Sequence, residues 1–317
     1  MYVEIGLQMG EYEMGDIRDI EDIKELLGGL EKYGFDEEAL QNAFNATMKK
    51  RDGRRIVKKE EEVSLSEEDF LLLKSVVCPI CENVFSTMVV KSGRARRMQP
   101  DFDLRPRFES IDVNKYDVTS CRKCGYTALN KDFTHLTAGQ VQMIEEGVRK
   151  NYKIPDNGNS EHAMDYDTAI ERYKLALYNS IIKRARVSEK AYECLKLAWL
   201  YRGKIEWLVR EAENKDIIQL TNDIELCKKE EVKFYSRAYE GLIEARATES
   251  FPICGMDTNT YEILLAAIAY NLDKLDDSSR LVSGILQSRT ANRGIKNRAL
   301  DLKEMILERR KELKQDI

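Results

Sequence analysis

Four cysteines carry the clearest chemistry in the chain. They fall in two C-x2-C pairs, CPIC at 78–81 and CRKC at 121–124, with 39 residues between the pairs. Two residues between cysteines let a tight turn aim both sulfurs at one ion, while the turn's amides offset thiolate charge. Gly125 follows the second pair, where the chain must turn back and a positive φ is convenient; Glu82 holds that place after the first pair and makes a less suitable turn. A single C-x2-C beside a βαβ pattern would suggest redox chemistry, but neither pair has that setting. A doubled pair is better explained by metal, so Cys78, Cys81, Cys121 and Cys124 are expected to bind a structural Zn²⁺. Four cysteine ligands would complete zinc's tetrahedron and leave no position for water or substrate. Cys194, Cys227 and Cys254 read as reduced, partly buried thiols.

The pairs need elements to hold them. LLLKSVVC (71–78), NVFSTMVV (83–90) and YDVTSC (116–121) are rich in β-branched residues and read as strands of a small zinc ribbon. The gap between the pairs is longer than the usual ~15–20 residues and requires an inserted loop. That loop, 91–112, is rich in Arg, Asp and Pro. Lys91, Arg94, Arg96 and Arg97, with Arg105 and Arg107, form a candidate anion or nucleic-acid patch. The favoured alternative is a solvated loop whose arginines pair at the surface with Asp101, Asp103, Glu109 and Asp112. Residues 78–131 carry 10 bases and 6 acids, too small an excess for strong nonspecific attraction to phosphate.

From about residue 140 the apolar period becomes 3.6. Tyr166, Ala169, Ile170, Tyr173, Ala176 and Leu177 share one helix face, as do Ala191, Cys194, Leu195, Ala198, Trp199 and Tyr201 on the next helix. Small residues alternating with aromatics suggest tetratricopeptide (TPR)-like helix pairs, with most of the stripe serving as core. A long charged helix is expected over 216–247. In 260–288 one helix is expected to run to Leu275, with a turn at Asp276–Asp277 and Ser278 or Ser279 capping the next. A charged amphipathic helix then closes the chain as a polar cap. The repeats are degenerate, which fits two or three helix pairs rather than a regular array. Their stripes are expected to cover one another, so that the helical part folds without metal.

Composition sets the outer bounds. The chain has 317 residues, 43% hydrophobic and 34% charged, with few glycines and prolines, as expected of a mainly helical globular protein. Residues 1–48 hold 12 acids and 3 bases, which discourages nucleic-acid binding through that segment. Helical spacing of Ile17, Ile20, Ile23, Leu27 and Leu30 suggests one helix there and 36–51 a second, followed by a charged linker. Neither a signal peptide nor an apolar run of membrane-spanning length is recognisable, so a cytoplasmic location is expected. His135 and His162 are the only histidines, leaving little material for histidine acid–base catalysis. Asp101, Asp103, Glu109 and Asp112 could hold a divalent ion, but the flanking arginines favour salt bridges. No catalytic constellation emerges. Three segments are expected: an acidic helical segment with its linker (1–62), a zinc-ribbon-like domain (63–140) and a TPR-like helical domain (141–317).

CPICENVF, DFDLRPRFESIDVNKYDVTSCRKCGYTAL and YDTAIERYKLAL with SEKAYECLKLAWLYR resemble an uncharacterised bacterial family, domain of unknown function 2225. That family is similar in placing a four-cysteine zinc-ribbon-like segment before TPR-like helices, and the likeness covers roughly residues 70–315. The resemblance implies a bacterial cytoplasmic protein, with Cys78, Cys81, Cys121 and Cys124 at the family's ligand positions, and it implies no reaction. The expected function is that of a metal-stabilised interaction or scaffold protein holding a protein or peptide partner through its helices, not of an enzyme or a membrane protein. Nucleic-acid or ribosome-associated binding through the basic loop is the alternative.

Overall fold

The computed structural model describes residues 66–154, 163–212 and 217–315. The helices expected over 17–30 and 36–51, and the linker after them, lie outside the described residues. The described residues form one compact unit, mainly helical, with a small β region placed before the helices.

The strands follow the β-branched runs. β1 (Leu71–Val77) pairs antiparallel with β2 (Val84–Val90), with Val77 opposite Val84, so that the first cysteine pair occupies the hairpin turn. β3 (Val118–Ser120) pairs antiparallel with β4 (Thr127–Leu129) around the second cysteine pair in the same way. Two short hairpins thus present one knuckle each. α1 (Ala138–Ile144) follows, started by a capping box in which Thr137 and Gln140 satisfy each other's backbone amides.

Among the described residues six helices follow: α2 (Tyr166–Ile182), α3 (Val187–Arg210), α4 (Ile217–Thr248), α5 (Thr258–Asn271), α6 (Leu275–Gln287) and α7 (Arg293–Gln315). Each packs on the next in sequence, and α7 also returns to α5. Asp165 caps α2 by accepting from the Thr168 amide at 2.7 Å, and Asp257 caps α5 by accepting from Asn259 and Thr260. The apolar faces read from the sequence are buried: Tyr173, Ala169 and Ala176 on α2, and Leu195, Ala198 and Trp199 on α3.

One expectation needs correcting. The chain reverses at Leu272–Lys274, with Asp273 at φ 53°, and α6 already starts at Leu275. Asp276 and Asp277 therefore occupy the first turn of α6, where carboxylates suit the helix dipole. Ser278 is not a cap: it is buried and donates its hydroxyl to the Ala266 carbonyl at 2.8 Å.

The principal core spans both sides of residue 140. Phe70, Ile111, Tyr116, Val118 and Leu129 share a cluster with the inner faces of α2, α3 and α4. Segment 111–117 acts as the seam. Tyr173 donates to the Asn114 carbonyl at 3.0 Å, Tyr166 donates to Asp112 at 3.1 Å, and the Met164 amide donates to the Tyr116 hydroxyl at 3.0 Å. Gly203 on α3 lets this seam close, because a Cβ there would stand 2.7 Å from both Asp112 and Tyr166.

The inserted loop is solvated, as expected, over 96–99, where Arg96 pairs with Glu109, but its second half is not a surface segment. Arg105 and Asp103 are 2% and 1% exposed. Arg105 grips Glu206 of α3 with two hydrogen bonds, at 2.9 and 3.1 Å, and lies within 4 Å of Asp101 and Asp112. Arg107 joins the same carboxylate at 2.6 Å. Asp103 accepts from the Trp199 indole at 2.9 Å and from Arg202 at 3.0 Å. At the loop's far end Arg298 of α7 donates to the carbonyls of Asp101 and Pro100. The loop is a strap, bound through ions supplied by helices far away in sequence. Burial opposes the charge of Glu206, yet Arg105 and Arg107 outweigh it and hold its carboxyl below the usual range.

Glu193 of α3 is a buried carboxyl of a different kind. It is 1% exposed, one oxygen accepts from Ser180 at 2.8 Å, and the other has no partner among the described residues. Burial raises its pKa to about 8; Glu189 and Asp132 add to the rise, against Ser180 and Lys183. The folded state therefore keeps a proton that the unfolded chain releases at ordinary carboxyl pKa. Stability from this group is complete below about pH 4.5 and is lost as pH rises through about 8. Chemical denaturation of wild type and Glu193→Gln across pH 4–9 should give curves that diverge in that window by up to about 1.4 kcal/mol per pH unit, with the variant the flatter. Parallel curves would show that the carboxyl ionises without cost.

Candidate metal centre

The two knuckles are built alike. In the first, the Glu82 amide donates to the Cys78 carbonyl at 3.0 Å and the Cys78 amide donates to the Asn83 carbonyl at 3.0 Å. In the second, the Gly125 amide donates to the Cys121 carbonyl at 2.8 Å and the Cys121 amide donates to the Tyr126 carbonyl at 2.8 Å. Both turns close through a left-handed residue, Glu82 at φ 56° and Gly125 at φ 78°. The glutamate thus adopts the turn despite its Cβ, a conformation that costs roughly 1–2 kcal/mol for a residue other than glycine.

Facing each other, the knuckles bring all four sulfurs within 4.8 Å of one another. The closest pairs cross between knuckles: Cys78 to Cys124 and Cys81 to Cys121, each at 3.6 Å. That is far beyond the ~2.05 Å of a disulfide, and all four are free thiols. Cys78, Cys121 and Cys124 are buried and Cys81 is half-buried. Amides of Ile80 and Cys81 donate toward the Cys78 sulfur, and those of Lys123 and Cys124 toward Cys121.

Electrostatics sets Cys121 apart from Cys78 and Cys124. Hydrogen bonds from Cys124 and Cys78 favour the Cys121 thiolate and lower its pKa. The same contacts with Cys121 raise Cys124 and Cys78. One negative charge is therefore accommodated at the expense of the next, and full ionisation of the set calls for a cation among the sulfurs. These four cysteines could hold a metal ion, and they are the one group of this kind among the described residues.

A second layer supports the knuckles. Ile80, Tyr126, Ala128, Phe133, Ile144 and Val148 pack around the sulfurs. Tyr126 donates to the Phe133 carbonyl at 3.0 Å, and the two rings lie 4.9 Å apart. Asn179, buried on α2, donates to the Gly125 carbonyl at 3.2 Å, tying the second knuckle to the helices. Tyr152 covers Gly125 so closely that a Cβ there would lie 2.5 Å from its ring. Nothing in the sequence pattern marks Asn179 or Tyr152, since both reach the knuckle from distant segments.

The other candidate residues do not join this site. Lys91 donates to the Asp69 carbonyl at 3.0 Å and Arg96 faces Glu109 at 3.7 Å. Arg94 and Arg97 are exposed, with no ion pair among the described residues. Asp101 and Asp112 are engaged by Arg105 of the strap, and Asp103 by Arg202 of α3, rather than gathered for an ion. His135 is exposed and His162 lies outside the described residues.

Fold and site together define a mainly helical protein whose small β hairpins carry a cluster of four cysteines that could hold a metal ion. The family model described as "Uncharacterized protein conserved in bacteria (DUF2225)" matches residues 71–306, and the chain belongs to that family. No curated protein and no solved structure matches it. No helix among the described residues is long and apolar enough to cross a membrane.

Opposite substitutions at the two left-handed turns should have opposite effects. Gly125→Ala meets both backbone strain and the Tyr152 ring and should lose about 2–3 kcal/mol; Glu82→Gly should gain up to about 1 kcal/mol. Denaturant melts of the two variants check this, and equal effects would contradict the account.

Proposed function

We propose that this chain is a zinc-stabilised interaction protein that holds a protein or peptide partner on its helical part. The observation behind the metal assignment is the geometry of the sulfurs. A zinc ion ~2.3 Å from each of four sulfurs needs them about 3.8 Å apart, and the two closest pairs stand at 3.6 Å. Cys78, Cys81, Cys121 and Cys124 would be its ligands, and the bound ion would supply the positive charge that lets all four ionise. Four protein ligands close the coordination shell, so the role is structural rather than catalytic.

The partner reading rests on the helices. A chain of helices each packed on its neighbour, read here as TPR-like, leaves side faces on which a segment can lie. One such face, between α4, α5 and α6, holds a groove of about 680 Å³. A metal centre that only closes the fold, with no open ligand position, leaves function to such surfaces.

Two measurements test the metal part. Protein purified without added metal should contain about one zinc per chain by elemental analysis, and four freely titrating thiols without metal would refute the assignment. Cys121→Ser should depress thermal stability several-fold more than Cys227→Ser, because the first removes a ligand and the second changes a buried thiol in a helix. Equal losses would count against a metal-dependent fold.

A further inference from the structure

The groove between α4, α5 and α6 combines features that its own packing does not require. Tyr239, Ile243 and Arg246 line it from α4, spaced four and three residues apart so that they share one face. Asp277, Arg280, Leu281 and Gly284 line it from α6 with the same periodicity, and Glu262 faces it from α5. The charges are layered. The acids lie lower: Glu262 is 13% exposed and bonded to Arg246 at 2.7 Å, and Asp277 is 34% exposed. Asp277 accepts from Arg280 on one oxygen and from the Tyr239 hydroxyl at 3.0 Å on the other. The arginines stand outward, Arg246 at 44% and Arg280 at 79% exposed.

Each guanidinium contacts the carboxylate beneath it through Nη2. A guanidinium carries five N–H donors in a rigid fork, and both side chains are more exposed than the acids that hold them, so donors remain for an incoming group. Anchoring of this kind limits the rotamer entropy lost when a second carboxylate binds. The acids, by contrast, are already engaged. What the groove offers an incoming segment is therefore positive, although its formal charges balance.

Between the arginines lies an apolar floor formed by Ile243, 38% exposed, with Leu281 and Gly284. Gly284 sits inside α6, where glycine costs roughly 0.5–1 kcal/mol relative to alanine. Its φ is not left-handed, and no heavy atom lies within 4 Å of the place a Cβ would take. Neither backbone conformation nor crowding within the chain requires glycine there. It leaves space on the groove floor.

We propose that this groove binds an acidic peptide segment of a partner protein, with carboxylate side chains on the two arginines and an aliphatic side chain on the floor at Gly284. This deepens the partner reading above and rests on it. Charge complementarity selects the segment: carboxylates meet preorganised guanidiniums, whereas a basic segment meets forks whose counter-acids are already paired.

Panning a displayed random-peptide library on the immobilised full chain tests the assignment. Enriched sequences should place Asp or Glu on both sides of a Leu, Ile or Val, and their synthetic peptides should bind less tightly as salt increases. Gly284→Leu fills the floor and Arg280→Gln removes the outer charge; both positions are open to solvent, so thermal melting should stay within a few degrees of wild type, on the higher side for Gly284→Leu. Each variant should weaken those peptides by about ten-fold or more. Peptides that are basic, or that bind both variants as well as wild type, would overturn the groove assignment while leaving peptide binding elsewhere on the helices intact. A library that yields no specific binder would overturn the groove and the partner reading together.

Discussion

Four sulfurs within 4.8 Å of one another present a problem of charge before one of packing. Each thiolate formed makes the next harder to form, and three of the four sulfur-bearing residues have lost contact with water. The surrounding backbone answers part of this, because knuckle amides point at the sulfurs and both hairpins close through left-handed residues. A cation among the sulfurs would supply what remains. The β hairpins are too short to persist alone, since isolated two-stranded sheets are marginal in water. Their order therefore depends on what joins them at the sulfurs and on what packs around that junction. Through the Gly125 carbonyl and Asn179, the same junction orients α2, against which α3 and the seam at 111–117 are set.

The strap adds a different kind of constraint. An apolar core accepts many arrangements of similar volume, whereas a buried ionic network accepts very few. Arg105 must meet Glu206 with both ends of its fork, and Asp103 must find the Trp199 indole and Arg202 together. Desolvation cancels much of the Coulomb gain, so the network contributes little to net stability for its size. Its effect is on register. A one-residue slip of the loop would strand a guanidinium or a carboxylate in the interior, at several kcal/mol each.

Much of this was legible in the amino-acid order wherever the relevant physics is local. The knuckles showed in cysteine spacing, the strands in β-branched runs, and the inner faces of α2 and α3 in a period of 3.6. Asp276 and Asp277 misled because acids favour turns and helix starts alike, and only the left-handed Asp273 decides where the reversal falls. The loop 91–112 misled for another reason. Its acids and bases do pair among themselves, as Arg105 does with Asp101 and Asp112, but the partner that buries them, Glu206, lies 101 residues beyond Arg105. Asn179 was invisible on the same grounds. A hydrogen bond to a backbone carbonyl leaves no trace at the residue that supplies it.

The strap's contact with Arg298 carries a consequence for the order of events in the cell. A polypeptide emerges amino end first, at roughly 5–20 residues per second. The loop would leave the ribosome before Glu206 exists and well before Arg298, which lies 197 residues after Asp101. For that interval Arg105 and Asp103 lack their partners on α3, and the apolar residues at 111–118 face water until α2 arrives. The two hairpins can meet early, since they are neighbours in time as well as in space. The loop they enclose has to wait, held at both ends, until Arg298 has been made.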